Sequence, residues 1–273
     1  MDKSTFGGIV VALGGILLGL TLEGGKVAQI LQPTAAMIVF GGTLGAVMIQ
    51  FPLRVVLEAF KHLGRVFFDK SKDPRAQIGE IVGYANKARK GGIVSLDKEV
   101  DGIKDPFLKK SLMLAVDGTE PHELRKMMEL ELDNQAEHDE HIPKVFESAG
   151  GFSPTIGIIG AVLGLIQVMQ HLDDINEVGR GIAVAFVATI YGVASANLFF
   201  LPASGKIKIR IRQDQVLREM MLEGVISILE GMNPRMIETK LLGFFAEANG
   251  ADAKKAEKAG APAAARRPEE KPA

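Results

Sequence analysis

GIAVAFVATIYGVASANLFFLPA, residues 181–203, contains no Asp, Glu, Lys or Arg. Written as an α-helix rising about 1.5 Å per residue, a run of this length crosses the roughly 30 Å of hydrocarbon in a bilayer. Three further runs share the property: STFGGIVVALGGILLGLTL at 4–22, TAAMIVFGGTLGAVMIQF at 34–51 and FSPTIGIIGAVLGLIQVMQ at 152–170. A globular core can hold one such run but seldom four. The sequence therefore predicts an all-α integral membrane protein with four transmembrane helices, a helical domain between the second and third, and a C-terminal helix outside the membrane.

The segments between the runs set the orientation. Of 32 Lys and Arg in 273 residues, 16 lie in 52–151 and 13 from 204 onward. Positive charge is retained on the cytoplasmic side, so the long middle segment, the tail and both termini are expected there. The short links 23–33 and 171–180 then face the other side. A cleaved signal is a poor reading of the first run. Lys3 is its one nearby basic residue, no small-x-small cleavage site follows, and a second apolar run begins within a dozen residues. The chain has no Cys, which excludes disulfides, thiolate zinc sites and thiol chemistry.

Five segments follow: 1–51 with the first two membrane helices, a helical domain at 52–151, 152–203 with the third and fourth, a helix at 204–248, and a tail at 249–273. The tail lacks large apolar residues and is expected to be disordered. In the middle domain Val56, Phe60, Leu63 and Phe67 recur at helical spacing, as do Ile78, Ile81, Val82 and Ala85. Gly91–Gly92 breaks the second of these helices, with Ser95 as the expected N-cap of a short one beyond it. Asp105–Pro106 starts another, and Thr119-Glu-Pro opens a long acidic helix striped by Leu124, Met128 and Leu132, with a bend expected at Pro143. Lys206 to Arg212 reads as a basic juxtamembrane helix. Glycines at 7, 8, 14, 15 and 19, and at 41, 42 and 45, predict close packing of the first two membrane helices.

Little chemistry is on offer. His138 and His141 stand three apart among carboxylates, but the spacing matches no zinc signature. There is no phosphate loop, no dinucleotide fingerprint and no nucleophile in a recognisable setting, so no catalytic residue, metal site or cofactor is expected, and no nucleic-acid partner. The membrane runs hold hydroxyl and amide groups (Thr43, Gln50, Thr155, Gln167, Thr189, Tyr191, Ser195, Asn197) and no titratable acid or base. Proton relays run through Asp, Glu or His. If this chain conducts protons, another chain supplies the carboxylate.

Four stretches carry a resemblance. Gln32 to Ala46 (QPTAAMIVFGGTLGA), Ala88 to Asp97 (ARKGGIVSLD), Ser153 to Gly164 (SPTIGIIGAVLG) and Leu222 to Arg235 (LEGVISILEGMNPR) resemble, in order, segments of motility protein A (MotA), particularly its PomA-like branch. The likeness covers residues 1 to 246, within the wider MotA/TolQ/ExbB proton channel family. It implies a stator subunit of the bacterial flagellar motor in the inner membrane. Five copies would surround MotB-like partners, each with one membrane helix bearing an Asp and a peptidoglycan-binding domain. Ion flow would be coupled to torque on the rotor switch protein FliG.

By the same resemblance, Arg89, Lys90 and Asp97 would contact the rotor, Asp97 standing where the family usually has Glu. Pro154 and Pro202 match prolines that couple the membrane to the cytoplasmic domain. Thr189, Ala161 and Thr155 would lie on the ion pathway. Sodium-driven relatives typically carry Thr at the position of Ala161, and a methyl group cannot ligate Na⁺, so protons are the expected ion. The alternative is an ExbB/TolQ-type subunit energising outer-membrane processes. Such proteins usually have three membrane helices and lack the Gln32–Ala46 motif. A secondary transporter would show internal repeats and broken helices that this sequence lacks.

Overall fold

Four helices in the computed structural model, which describes residues 3–67 and 73–246, are long and apolar enough to cross a membrane. They are α1 (Lys3–Leu22), α2 (Pro33–Gln50), α6 (Pro121–Gln170) and α7 (Ile175–Leu229). The longer of the remaining helices are α3 (Leu53–Phe67), α4 (Pro74–Gly91), α5 (Pro106–Val116) and α8 (Pro234–Ala246). No strand occurs among the described residues. The side chain of Phe67 and the tail from Asn249, expected to be disordered, lie outside what is described. The chain divides into two compact units, Met1–Ser71 with Asp133–Asp214, and Lys72–Leu132 with Gln215–Ala273.

The first unit holds the apolar spans. Its surface inverts that of a water-soluble fold, because Phe186, Met169 and Ile158 are 68%, 69% and 56% exposed. Large apolar side chains turned outward from the runs 152–170 and 181–203, which hold no Asp, Glu, Lys or Arg, suit lipid as the solvent. Inside, Ala35 and Val39 of α2 pack on Val187 and Ala188 of α7. Below them Val56 and Ala59 of α3 join Ile142, Val145, Phe146 and Ala149 of α6 and Ala203 and Ile207 of α7. Phe60 sits edge-on to Phe146, ring centroids 6.3 Å apart. α1 contributes no buried residue to the unit.

The second unit is an ordinary amphipathic assembly. The Leu124, Met128 and Leu132 stripe is buried, as are Ile78, Ile81 and Ala85 of α4. They meet Met220, Met221, Val225 and Ile226 of α7 and Ile237 and Leu241 of α8. Asp105 caps α5 as its sequence suggests, accepting from the backbone N–H groups of Phe107 and Leu108 at 2.9 and 3.0 Å.

Two local expectations need correction, and one helix is longer than its separate runs suggest. α6 runs as one helix of 50 residues through both Pro143 and Pro154, so the acidic helix and the third membrane span are one element. Packing on α7 outweighs the donor that each proline lacks, and Ser204 Oγ donates to the Pro143 carbonyl at 2.9 Å. Ser95 is not an N-cap. It lies within the 3₁₀ turn Ile93–Leu96, its hydroxyl donating back to the Gly92 carbonyl at 2.6 Å. Glycine packing is also misplaced in the sequence reading. A Cβ on Gly7, Gly8, Gly14, Gly15 or Gly19 meets nothing within 4 Å, and in α2 only Gly42 is crowded, by Ile156.

Candidate functional site

The close glycine contacts belong to the third and fourth spans. A Cβ on Gly192 of α7 would sit 2.6 Å from the Ser153 carbonyl oxygen and 3.2 Å from Pro154 Cα. One on Gly157 of α6 would be 2.8 Å from the Ala188 carbonyl and 3.2 Å from Gly192 Cα. Two turns further along α6, Gly164 and Gly181 meet each other's backbone in the same way. For Gly157, Gly164 and Gly192 the obstacles are main-chain atoms, which cannot swing aside. Lipid tails offer no hydrophobic drive for helix association, so this backbone-to-backbone fit holds the pair together.

Polar ties close the bundle at its ends. Ser153 and Ser195 share a hydrogen bond of 2.6 Å across the two helices. Tyr191 reaches from α7 to the start of α2. Its hydroxyl donates to the Ile30 carbonyl at 2.5 Å and accepts from the Gln32 N–H at 3.2 Å, while its ring stacks on Phe40 at 6.1 Å. The sequence names Tyr191 only as one of the polar groups in the charge-free runs and does not identify the partners of this tie. The signal was present, since tyrosine is one of only two in the chain and sits in an otherwise apolar run.

The expected ion-pathway residues lie in this unit. Thr155 is exposed and donates to the Phe152 carbonyl at 2.7 Å, and the half-buried Thr189 donates to Ala185 at 3.2 Å. Each hydroxyl hydrogen stays within its own helix, and each oxygen keeps its acceptor capacity. Ala161 is half-buried on α6. Thr43 of α2 is 2% exposed and its Oγ1 has no partner among the described residues. Pro154 stands against Gly192, so it belongs to the tightest crossing. Pro202 follows a π-helical turn, Ala196–Phe200, in which the Leu201 N–H bonds back to the Ala196 carbonyl. Widened turns of this kind accommodate a missing donor.

The charged candidates lie in the second unit. Arg89 and Lys90 occupy the exposed last turn of α4, and Asp97 is exposed just after the 3₁₀ turn. Gly92, with φ of 76°, reverses the chain between them, a conformation that favours glycine. Lys87 pairs with Glu99 at 2.6 Å and braces the same turn. None of Arg89, Lys90 and Asp97 is in an ion pair among the described residues. They form a mixed-sign exposed surface, the arrangement that steers and registers a charged partner.

A half-buried network that the sequence did not advertise lies elsewhere in this unit. Glu223 of α7 accepts from Arg125 Nη2 at 2.8 Å and pairs with Lys240 of α8. Burial pushes the Glu223 carboxyl up, but the bonds from Lys240 and Arg125 outweigh it and hold the group below the ordinary glutamate range. His138 faces Glu58 at 3.6 Å, and no three His, Asp or Glu side chains converge on a metal-sized site among the described residues.

Residues 6–88 match the Motility protein A N-terminal family and residues 99–220 match the MotA/TolQ/ExbB proton channel family. Motility protein A of Bacillus subtilis is 35% identical over 248 residues, covering 89% of this chain and 91% of that protein. The chain belongs to the MotA/TolQ/ExbB proton channel family. The solved structures agree with this membership. C. jejuni MotAB superposes with a TM-score of 0.85 at 31% identity, over 89% of this chain and 96% of that one. The flagellar MotAB stator complex from Bacillus subtilis gives 0.82 at 34% identity, over 95% of this chain and all of that one. With these relatives, the four spans make this a multi-pass membrane protein of the channel family.

Proposed function

We propose that this chain is the ion-conducting stator subunit of a bacterial flagellar motor, working with a MotB-like partner to convert proton flow into torque. One observation carries the reading: a glycine-packed membrane bundle in a MotA-family chain whose four apolar runs hold no Asp, Glu, His, Lys or Arg. Such a bundle shapes a path but cannot relay a proton alone. The missing acid is an Asp on the single membrane helix of the partner. Five copies of this chain surround the partner helices in the inner membrane, with both termini cytoplasmic. The match of residues 6–88 to the motility N-terminal family favours this reading over an ExbB/TolQ-type subunit.

In this scheme Thr155 and Thr189 offer oxygen acceptors along the path, and Ala161 leaves it without the hydroxyl that a sodium site needs. Pro154 at the Gly192 crossing and Pro202 after the π-helical turn are the points where the bundle yields as the partner Asp changes charge. Arg89, Lys90 and Asp97 engage the rotor protein FliG through complementary charge. No step needs a catalytic residue, a metal or a bound cofactor.

Proton flux in liposomes tests the reading. The chain alone should pass no protons, and the chain with its own partner should pass them in sodium-free buffer. Robust flux from the chain alone would overturn the division of labour. Flux or rotation that stops when Na⁺ is removed would overturn the choice of ion.

A further inference from the structure

The first unit contains a cavity of about 790 Å³ walled by α1, Phe40 of α2, Leu63 of α3 and the π-helical part of α7. That is within the range of about 300–1,000 Å³ in which small-molecule sites fall. Its walls are Gly8, Ile9, Ala12 and Leu13 on one side and Leu198, Phe199 and Phe200 on the other. The polar side chains that reach it are already satisfied inside the protein. Asn197 Nδ2 donates to the Val193 carbonyl at 2.9 Å, Ser195 bonds Ser153, and Tyr191 bonds Ile30 and Gln32. At one end only, the lining turns basic and hydroxylic. Lys206 Nζ hydrogen-bonds Thr5 Oγ1 at 2.5 Å and Ser4 Oγ at 3.4 Å.

The length of the groove identifies what fills it. On α1 it extends from Thr5 to Leu13, about 12 Å at 1.5 Å per residue, and on α7 from Tyr191 to Lys206, about 22 Å. Half of a hydrocarbon core is about 15 Å. The groove therefore spans one leaflet, with its basic end on the side to which the charge distribution assigns the cytoplasm. We infer that it holds a phospholipid of the cytoplasmic leaflet. An acyl chain lies between α1 and α7, and the phosphodiester is held by Lys206 with the Ser4 and Thr5 hydroxyls. The lipid gives α1, none of whose residues from Ser4 to Leu22 is fully buried, an inner face to pack on. The inference rests on the membrane reading but not on torque generation.

The test uses the full-length chain expressed with its partner. It is reconstituted into vesicles of equal phosphatidylglycerol and phosphatidylcholine, re-extracted in mild detergent, and its retained lipid is counted by native mass spectrometry. Wild type should keep at least one phospholipid per chain and prefer the anionic headgroup about fivefold, the effect of one basic residue at an anionic surface. Lys206→Gln should keep the lipid and lose the preference. Gly8→Leu and Ala12→Leu, which fill the groove, should lower retention at least fivefold while elution volume and melting stay unchanged. Wild type that retains no lipid overturns the inference whatever the variants do. So does equal retention of both headgroups. A groove-filling variant that keeps its lipid but changes the mass of the assembly would show that a neighbouring subunit occupies the groove. Motility is a separate readout, so failure of the lipid site leaves the stator reading standing.

Discussion

Gly192→Ala tests whether the α6–α7 crossing is set by backbone contact. The new methyl would lie 2.6 Å from the Ser153 carbonyl, 3.1 Å from Gly157 Cα and 3.2 Å from Pro154 Cα. Ordinary contact begins near 3.4 Å, so the helices must separate by about 0.8 Å, and no flexible side chain can absorb the shift. Overpacking of this kind costs about 1–3 kcal/mol. The control is Gly14→Ala on α1, where a Cβ meets nothing within 4 Å. In a helix that exchange is neutral or favourable, by up to about 1 kcal/mol. Thermal melting of the detergent-extracted complex reads both. A loss of about 2–4 °C per kcal/mol, the scale for a protein of this size, puts Gly192→Ala roughly 2–12 °C below wild type with Gly14→Ala at or above it. Equal melting of the two variants would refute the argument that the glycines of the third and fourth spans are there for close approach.

Other perturbations probe separate parts. Tyr191→Phe leaves the Ile30 carbonyl and Gln32 N–H unpaired at the start of α2, at a cost of about 1–3 kcal/mol, visible as a lower melting temperature with the Phe40 stack intact. Glu223→Gln should destabilise the second unit. Because the folded carboxyl titrates below its unfolded value, its contribution is complete above the ordinary glutamate range and is lost as pH falls through the depressed folded value. The stability gap between wild type and Glu223→Gln should thus be constant near neutrality and close in acid, as followed by hydrogen exchange in α8. Arg89→Glu combined with Asp97→Lys should reduce swimming torque while leaving co-purification with the partner unchanged, and normal swimming in the double variant would count against a rotor contact.

The spans were legible because charge-free runs of membrane length are a long-range signal that neighbouring residues cannot disguise. The cores of the second unit were legible for a similar reason, since Leu124, Met128 and Leu132 repeat at helical spacing and are buried. Pairwise geometry was not legible. Glycine is tolerated throughout membrane helices, so its presence in α1 and in α6 looks alike until the facing backbone is known. Nor does local composition announce that the helix continues through Pro143, or that Ser204 bonds the Pro143 carbonyl from the facing helix. The Arg125–Glu223–Lys240 network joins residues 98 and 17 apart, which no local pattern announces. Among the site candidates, the resemblance supplied the roles of Arg89, Asp97, Pro154 and Pro202, and no spacing rule would have selected them.

The second unit takes its residues from two separated stretches, 72–132 and 215 onward. During synthesis the first stretch emerges before the third and fourth spans exist. Its apolar stripe at Leu124 and Met128 must wait for Met220, Val225 and Leu241, which the ribosome adds only after every span has been made. A chain halted near residue 214 would therefore be complete in the membrane yet present half of an open core to the aqueous side. Exposed apolar surface of that kind is prone to aggregate, so the interval before the last helix is made is when this unit is most vulnerable.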